Sequence, residues 1–395
     1  MEKINIKFLN HSSFYLESEE YIVLVDPWYS GKIFNNSWSL LKDTEDSIID
    51  YSKVKYISIS HEHPDHLHWP TLKKIKEKTK EVTILLPKRN NPNVLEECIK
   101  LGYKFKYLDY FVENKIEENL SIYPYPHGHD SALIYEIEDK IILNQNDAYL
   151  EDNVISTINE KFKKIDLWLF QFSLAGYYGN RTDPNTIIEN GTKFHIDKFI
   201  KYQNDFKPIM SVPFASYVYF CKEYNNYIND YAVKLEDILE KTNYITQIPF
   251  YNENIDFHSN TMNKNNLEKW NEIYENCKKE IKKAEPFPGE EIIIEGFKKI
   301  YDEGYRILQV GGLILEFFDY DKNLVIDTSN NKYYFIKKEE TPKDWIAGIL
   351  PSEELLAYIK TPWGADTLNI TGTFNKINND LWYIFMMSKE LLYQR

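Results

Sequence analysis

The stretch "YISISHEHPDHLHWPTL", residues 56–72, constrains this chain more than any other. Within it, eight consecutive positions, 61–68, hold four of the chain's nine histidines together with two carboxylates. Alternation in "KVKYISIS" predicts a strand with one buried face, and Pro70 within "WPTLKKIKEKTK" predicts a helix that opens just after the cluster. The polar groups therefore occupy a short loop between a strand and a helix. In such a loop His61 and His63 can point to one side and bind one metal ion. Asp65 and His66 can then face a second ion, at the separation of about 3.5–4 Å used by two-metal sites. Imidazole suits zinc and iron, and added carboxylates bias a site toward iron or manganese.

A dinuclear site needs further ligands from elsewhere. "IYPYPHGHD" supplies His127 and His129 at the end of another strand-like segment, and "KIILNQND" ends on Asp147, whose carboxylate can bridge two ions. His127 directly follows its strand and is expected to complete the shell of the first metal. His129, in the turn, is the alternative ligand. His11 in "FLNHSS", Asp26 in "VLVDPW" and His68 are expected to orient ligands by hydrogen bonding rather than to bind metal. Asp65 and Asp147 are also the expected catalytic carboxylates.

The rest of the chain bounds the function. Its 395 residues, 43% hydrophobic, can bury a full core. A formal charge of −14 argues against nucleic acid or an anionic membrane as the main partner. The start "MEKINIKFLNHSSFYL" lacks the features of a signal peptide, and no apolar run approaches a membrane span, so the expected location is cytoplasmic. Cys98, Cys221 and Cys277 form no Cys-x-x-Cys and suggest neither a disulfide framework nor a thiolate metal site.

Short Ile-, Val- and Tyr-rich segments with interspersed helices fill the first half and predict stacked sheets with outer helices. After residue 217, "YVYFCKEYNNYINDYAVKLEDILEKTN" and "NNLEKWNEIYENCKKEIKKA" read as a helical middle section. "GGLILEFFDY", "NLVIDTS", "KYYFIKK" and "TLNITGTF" then read as strands around the helix "PSEELLAYIK". The expected division is a metal-binding catalytic domain over 1–250, a helical connector over 251–299 and a small α+β accessory module over 300–395.

Asp26, the His-x-His-x-Asp-His loop at 61–66, His127 and Asp147 occur in an order that resembles the metallo-β-lactamase superfamily, which implies an α/β fold, an αββα sandwich with metals at one edge of its two sheets. The opening "FLNHSSFYLESEEYIVLVDPWY" is similar to the branch containing L-ascorbate-6-phosphate lactonase. "HEHPDHLHWPTLKKI", "IILNQNDAYL", "FSLAGYYGN" and "PIMSVPFASYVYF" resemble the non-Rieske part of the CMP-N-acetylneuraminate hydroxylase family, iron-dependent monooxygenases acting on a nucleotide sugar. No Rieske cluster is expected in this chain, because its cysteines cannot hold one. An oxygenase reaction would then need a separate electron-donor protein. "SVPFASY" also lacks the late-strand histidine of the superfamily's dinuclear hydrolases, which leaves the second metal with Asp65, His66 and shared Asp147 and predicts weaker occupancy there.

Two activities follow from the resemblance. One is a non-haem iron oxygenase acting on a polar small molecule such as a nucleotide sugar, modified sugar or amino acid. The other is a zinc or manganese hydrolase in which a metal-activated water attacks a phosphoester, lactone or amide. Tyr177, Tyr178 and Arg181, in the Gly-bounded loop "FSLAGYYGNRTDP", are the candidates for substrate binding, with Arg181 suited to a phosphate or carboxylate. His195 in "TKFHIDKFIKY" is expected to be structural and is the spare candidate for a missing ligand.

Overall fold

The structure is a computed structural model that describes residues 4–88, 92–257, 264–302, 312–327, 329–330 and 332–390. Six strands form the first sheet: β1 (Asn5–Asn10), β2 (Ser13–Glu17), β3 (Ile22–Val25), β4 (Val54–Ser58), β5 (Thr83–Pro87) and β6 (Lys104–Leu108). Seven form the second: β7 (Asn114–Glu117), β8 (Leu120–His127), β9 (Asp130–Ile137), β10 (Lys140–Asn146), β11 (Leu167–Gln171), β12 (Met210–Phe214) and β13 (Ile245–Thr246). Spatial order follows chain order in both sheets. Each begins with antiparallel pairs and ends with parallel ones, β3 to β6 in the first and β10 to β13 in the second.

The apolar pattern explains the layering. Phe14 of β2 meets Phe214 of β12 edge-on at 5.6 Å and Tyr135 of β9 at 6.1 Å, so aromatic side chains join the sheets face to face. Full burial of each such ring contributes about 1.5–3 kcal/mol. On the outer face of the first sheet, Leu24 and Ile57 pack with Leu72 and Ile75 of helix Trp69–Lys78 and with Cys98 of helix Pro92–Lys100. On the outer face of the second, Trp168 stacks on Phe199 of helix Phe194–Phe206. Two sheets flanked by helices on both sides are the expected αββα sandwich. Among the described residues no helix is long and apolar enough to cross a membrane.

A second core lies toward the carboxyl end. Leu313, Leu315 and Phe317 of strand Gly312–Phe317 pack with Phe297, Leu355, Leu368 and Trp382 of four helices. The segment 251–299 is divided between the two cores: Trp270 is buried against Tyr217 at 4.6 Å in the sandwich, whereas Ile293 and Phe297 belong to the second core.

Two elements differ from the sequence reading. Val218–Phe220, inside a stretch that reads as helical, is a strand paired with Trp38–Leu40, and Asn229 Oδ1 accepts the Phe220 N–H at its end. "TLNIT", read as the start of a strand, instead ends helix Gly364–Thr371, which Gly372 closes in the left-handed conformation at φ +63°. In both places contacts distant in sequence override a weak local preference.

Candidate metal centre

The carboxyl ends of the central strands of both sheets converge, as expected for a site in an α/β sandwich. Asp26 follows β3, the 60–68 loop follows β4, and Asp147 follows β10. The hairpin β8–β9 brings His127 and Asp130 opposite each other across a two-residue turn, Gly128–His129, with Gly128 at φ +52°. His11 occupies the two-residue turn between β1 and β2. Asp26, Asn146 and Ala215, all at strand ends, have φ of 42°, 39° and 46°. Left-handed backbone at a residue other than glycine costs on the order of 1–3 kcal/mol and clusters at functional sites.

Local hydrogen bonds set the loop. Ser60 donates its N–H to Asp26 Oδ1 and its hydroxyl to Asp26 Oδ2, both at 2.7 Å, and His66 and Leu67 N–H groups close a turn on the His63 carbonyl. That turn aims Asp65 and His66 inward. Ser12 Oγ donates to the Asp65 carbonyl at 2.9 Å, and the His11 carbonyl accepts the Ala215 N–H at 2.8 Å. The Asp147 N–H donates to Asn146 Oδ1, and Asn146 Nδ2 donates to the Ser131 carbonyl.

Among the described residues three groups of ligand atoms result, each drawn together within 4.8 Å: His61, His63 and Asp130; His61, His66 and Asp147; and His11, Asp65 and His66. His61 Nε2 is 2.9 Å from His63 Nδ1, and Asp130 Oδ1 lies 3.4 Å from the first and 3.6 Å from the second. Asp147 Oδ2 stands between the ends of the cluster, 4.0 Å from His61 Nε2 and 3.3 Å from His66 Nε2. Asp65 Oδ2 lies 3.4 Å from His66 Nε2 and 3.3 Å from His11 Nε2.

These residues fit a divalent cation. His66 Nδ1 lies 2.9 Å from Asp26 Oδ2 and donates to it, so Nε2 is the nitrogen left to take up either a proton or a metal ion. That nitrogen is buried without a hydrogen-bond partner and faces the carboxylates of Asp65 and Asp147; Asp65 Oδ1 and Asp147 Oδ1 are likewise buried without one. Lone pairs and anions this close repel unless a proton or a metal ion lies among them. The electrostatics agree. Burial pulls the His66 pKa down, but Asp65, Asp147 and Asp26 overcome it and hold it well above the ordinary imidazole range. Burial raises Asp65, yet His66 and His11 hold its carboxyl well below the usual range. For Asp26 burial wins over His66 and Ser60, and its pKa is raised. Burial lowers His63 against the opposing Asp65 and Asp147, which favours the neutral, metal-binding form.

The structure thus brings together His61, His63, Asp65, His66 and Asp147, and adds Asp130 and His11. Asp130 has no counterpart in the sequence reading, although "HGHD" places it directly after a short turn, where a hairpin returns it to the same edge. His127, expected to complete the first shell, lies outside the three groups. Its ring is 6.0 Å from that of Tyr149, its Nδ1 is buried without a hydrogen-bond partner, and burial lowers its pKa. The physical reason is side-chain direction at the hairpin end: Asp130 turns toward His61 and His63 while His127 turns toward Tyr149. His129 is exposed in the turn. His11 Nε2 contacts Asp65 Oδ2 at 3.3 Å, a contact open both to the expected orienting role and to a place in the third group. Asp26 Oδ2 pairs with His66 Nδ1, whereas His68 Nδ1 pairs with Thr71 Oγ1 at 2.8 Å, at the start of the helix and away from the ligand groups.

The three residues read as substrate-binding are placed otherwise. Tyr177 stacks on Phe374 at 4.4 Å, with its hydroxyl on Asn180, and Tyr178 donates to buried His195. Arg181 is exposed, and its backbone N–H donates to Asn375 Oδ1. His195 uses both ring nitrogens on tyrosines, so it does not fill the missing ligand position.

The sandwich and its edge cluster define a metallo-β-lactamase fold with His and Asp groups suited to metal. Residues 5–149 match the profile described as "Beta-lactamase superfamily domain". The chain is 29% identical over 154 residues to cytidine monophosphate-N-acetylneuraminic acid hydroxylase from Xenopus laevis, a match covering 37% of this chain and 26% of that protein. It therefore spans about a quarter of that relative's length. Among solved structures it is similar to CmlA, a diiron beta-hydroxylase from Streptomyces venezuelae, at 12% identity and a TM-score of 0.45, covering 65% of this chain and 54% of that one. It is also similar to a "possible metal-dependent hydrolase" from Veillonella parvula, at 11% identity and a TM-score of 0.45, covering 65% of this chain and 99% of that one.

Proposed function

We propose that the chain is a non-haem, two-iron oxygenase that hydroxylates a polar small molecule such as a nucleotide sugar or a modified sugar or amino acid. The observation that carries this reading is Asp130 beside His61 and His63. It gives the candidate ligand set a third carboxylate, so that Asp65, Asp130 and Asp147 stand beside four imidazoles, and added oxygen donors bias a mixed site from zinc toward iron or manganese. The sequence similarity to hydroxylases of a cytidine monophosphate sugar supports the substrate class.

In this reading His61, His63 and Asp130 would hold one iron and His11, Asp65 and His66 the other, with Asp147 available to both. Iron held there supplies the redox and oxygen chemistry that side chains cannot. The chain's own groups do the rest. Asp26 keeps His66 in one tautomer, Asn146 fixes the direction of Asp147, and the buried faces of His11, His61 and His66 exclude water from the inner end of the site. A separate protein would supply electrons.

The test loads parallel samples of metal-free protein with iron and with zinc and follows oxygen uptake and product mass over nucleotide sugars, sugar phosphates and amino acids. The expected product is heavier by one oxygen atom and carries label from labelled dioxygen in the iron sample only. Greater turnover with zinc, and label entering only from water, would replace the oxygenase with a zinc or manganese hydrolase.

A further inference from the structure

Starting at Tyr149, two residues past Asp147, the chain builds a hydrogen-bond relay through His195 to Tyr178. Tyr149 Oη donates to Gln171 Oε1 at 2.8 Å, so its one proton is committed there. Its contact with His195 Nδ1 at 3.3 Å must then run the other way, with Nδ1–H donating to the tyrosine oxygen. That tautomer leaves His195 Nε2 as an acceptor, and Tyr178 Oη donates to it at 3.0 Å while accepting the Ala175 N–H at 3.3 Å. His195 is 1% exposed, and burial drives its pKa down to about 3, which favours the neutral ring that this pattern of donors and acceptors requires.

The relay joins two places. One end is Tyr149, two residues past Asp147. The segment between them is also closed from the other side, where Gln145 Nε2 donates to the Ala148 carbonyl and Trp168 Nε1 holds Gln145 Oε1. The other end is the 173–180 loop, where glycine makes the approach possible: a Cβ at Gly191 would stand 2.9 Å from Leu174 Cδ2 and 3.1 Å from Tyr178 Cγ. Tyr177, the next residue back, faces away and donates its backbone N–H to the Asn369 carbonyl of the second core.

We propose that His195, as its Nδ1–H tautomer, is a positioning residue for Asp147, acting through Tyr149. The proposal rests on the reading of Asp147 as a shared metal-facing carboxylate. Supporting residues around metal ligands typically change metal affinity by about 10–100-fold when removed.

The test uses cobalt(II) added to the chelator-treated full chain and reads the dissociation constant and the visible absorption spectrum. Tyr149→Phe keeps the ring and its packing and removes only the hydroxyl, so it serves if His195→Leu fails to fold. Each variant is checked for native circular dichroism first. Cobalt affinity is expected to fall about tenfold or more in Tyr149→Phe and in His195→Leu, with a changed spectrum. His195→Asn, whose amide N–H can still reach the Tyr149 oxygen, should recover most of both. Wild-type affinity and spectrum in folded Tyr149→Phe would overturn the proposal while leaving the metal centre standing. A wild-type chain that takes up no cobalt would overturn both.

Discussion

Substituting Asp130 by Ala separates the ligand set seen in the structure from the one the sequence suggests. Asp130 Oδ1 is the only carboxylate oxygen among the described residues grouped with both His61 and His63, at 3.4 and 3.6 Å. Its loss leaves that half of the site with two imidazoles and the more distant Asp147. Removing a group that merely supports a ligand costs up to about 100-fold in metal affinity, so 100-fold is a floor for a direct ligand. At a free metal concentration 100 times the wild-type dissociation constant, binding stabilises the fold by about 2.7 kcal/mol; a 100-fold weaker site gives about 0.4 kcal/mol under the same conditions. The expected result is therefore a loss of about 2.3 kcal/mol in the difference between metal-loaded and chelator-treated protein. Any change in the metal-free fold cancels in that difference. Calorimetric titration with manganese, alongside denaturant melts of both forms, measures it. Wild-type affinity in Asp130→Ala, together with loss of metal in His127→Ala, would refute the geometry and return His127 to the ligand role.

Asp147→Ala should lower the occupancy of both metal positions, since one oxygen faces His61 and His66 at 4.0 and 3.3 Å; elemental analysis showing loss of one ion only would contradict the shared role. Lys222→Met should destabilise the chain by about 3–5 kcal/mol, because Lys222 Nζ lies buried 2.5 Å from Glu354 Oε1 and 3.0 Å from Glu353 Oε1, and its loss strands those carboxylates. Burial already raises the Glu354 pKa despite Lys222, so protonation can relieve the stranded charge; the loss should shrink as pH falls through that raised pKa, and equal losses at pH about 5 and about 8 would count against the account. Gly372→Ala should cost about 1–3 kcal/mol in the same melts, since its φ is +63° and a Cβ would stand 2.5 Å from Ile228 Cδ1; an unchanged midpoint would show that the seam between the two cores yields freely.

What the sequence determined by itself was local. The His-x-His-x-Asp-His spacing is short enough that one strand, one turn and one helix start fix where His61, His63, Asp65 and His66 can point, and these four do converge. The end of β10 likewise put Asp147 at the strand's carboxyl edge. Alternation of apolar residues was enough for stacked sheets with outer helices. The remaining ligands were decided by contacts across the sandwich. His127 and Asp130 are directly opposed on one hairpin, and no local signal says which side chain turns toward His61; the packing of Tyr149 beside His127 and the position of the 60–68 loop beside Asp130 decide it. His11 is 54 residues from Asp65 and reaches it because β1 and β2 lie in the same sheet as β4, with the Ala215 N–H bracing its carbonyl from the other sheet. A metal shell is assembled from the ends of several strands, so sequence can name the short loop that supplies most of one wall, while the direction of each remaining side chain is set by packing energies that only the tertiary fold contains.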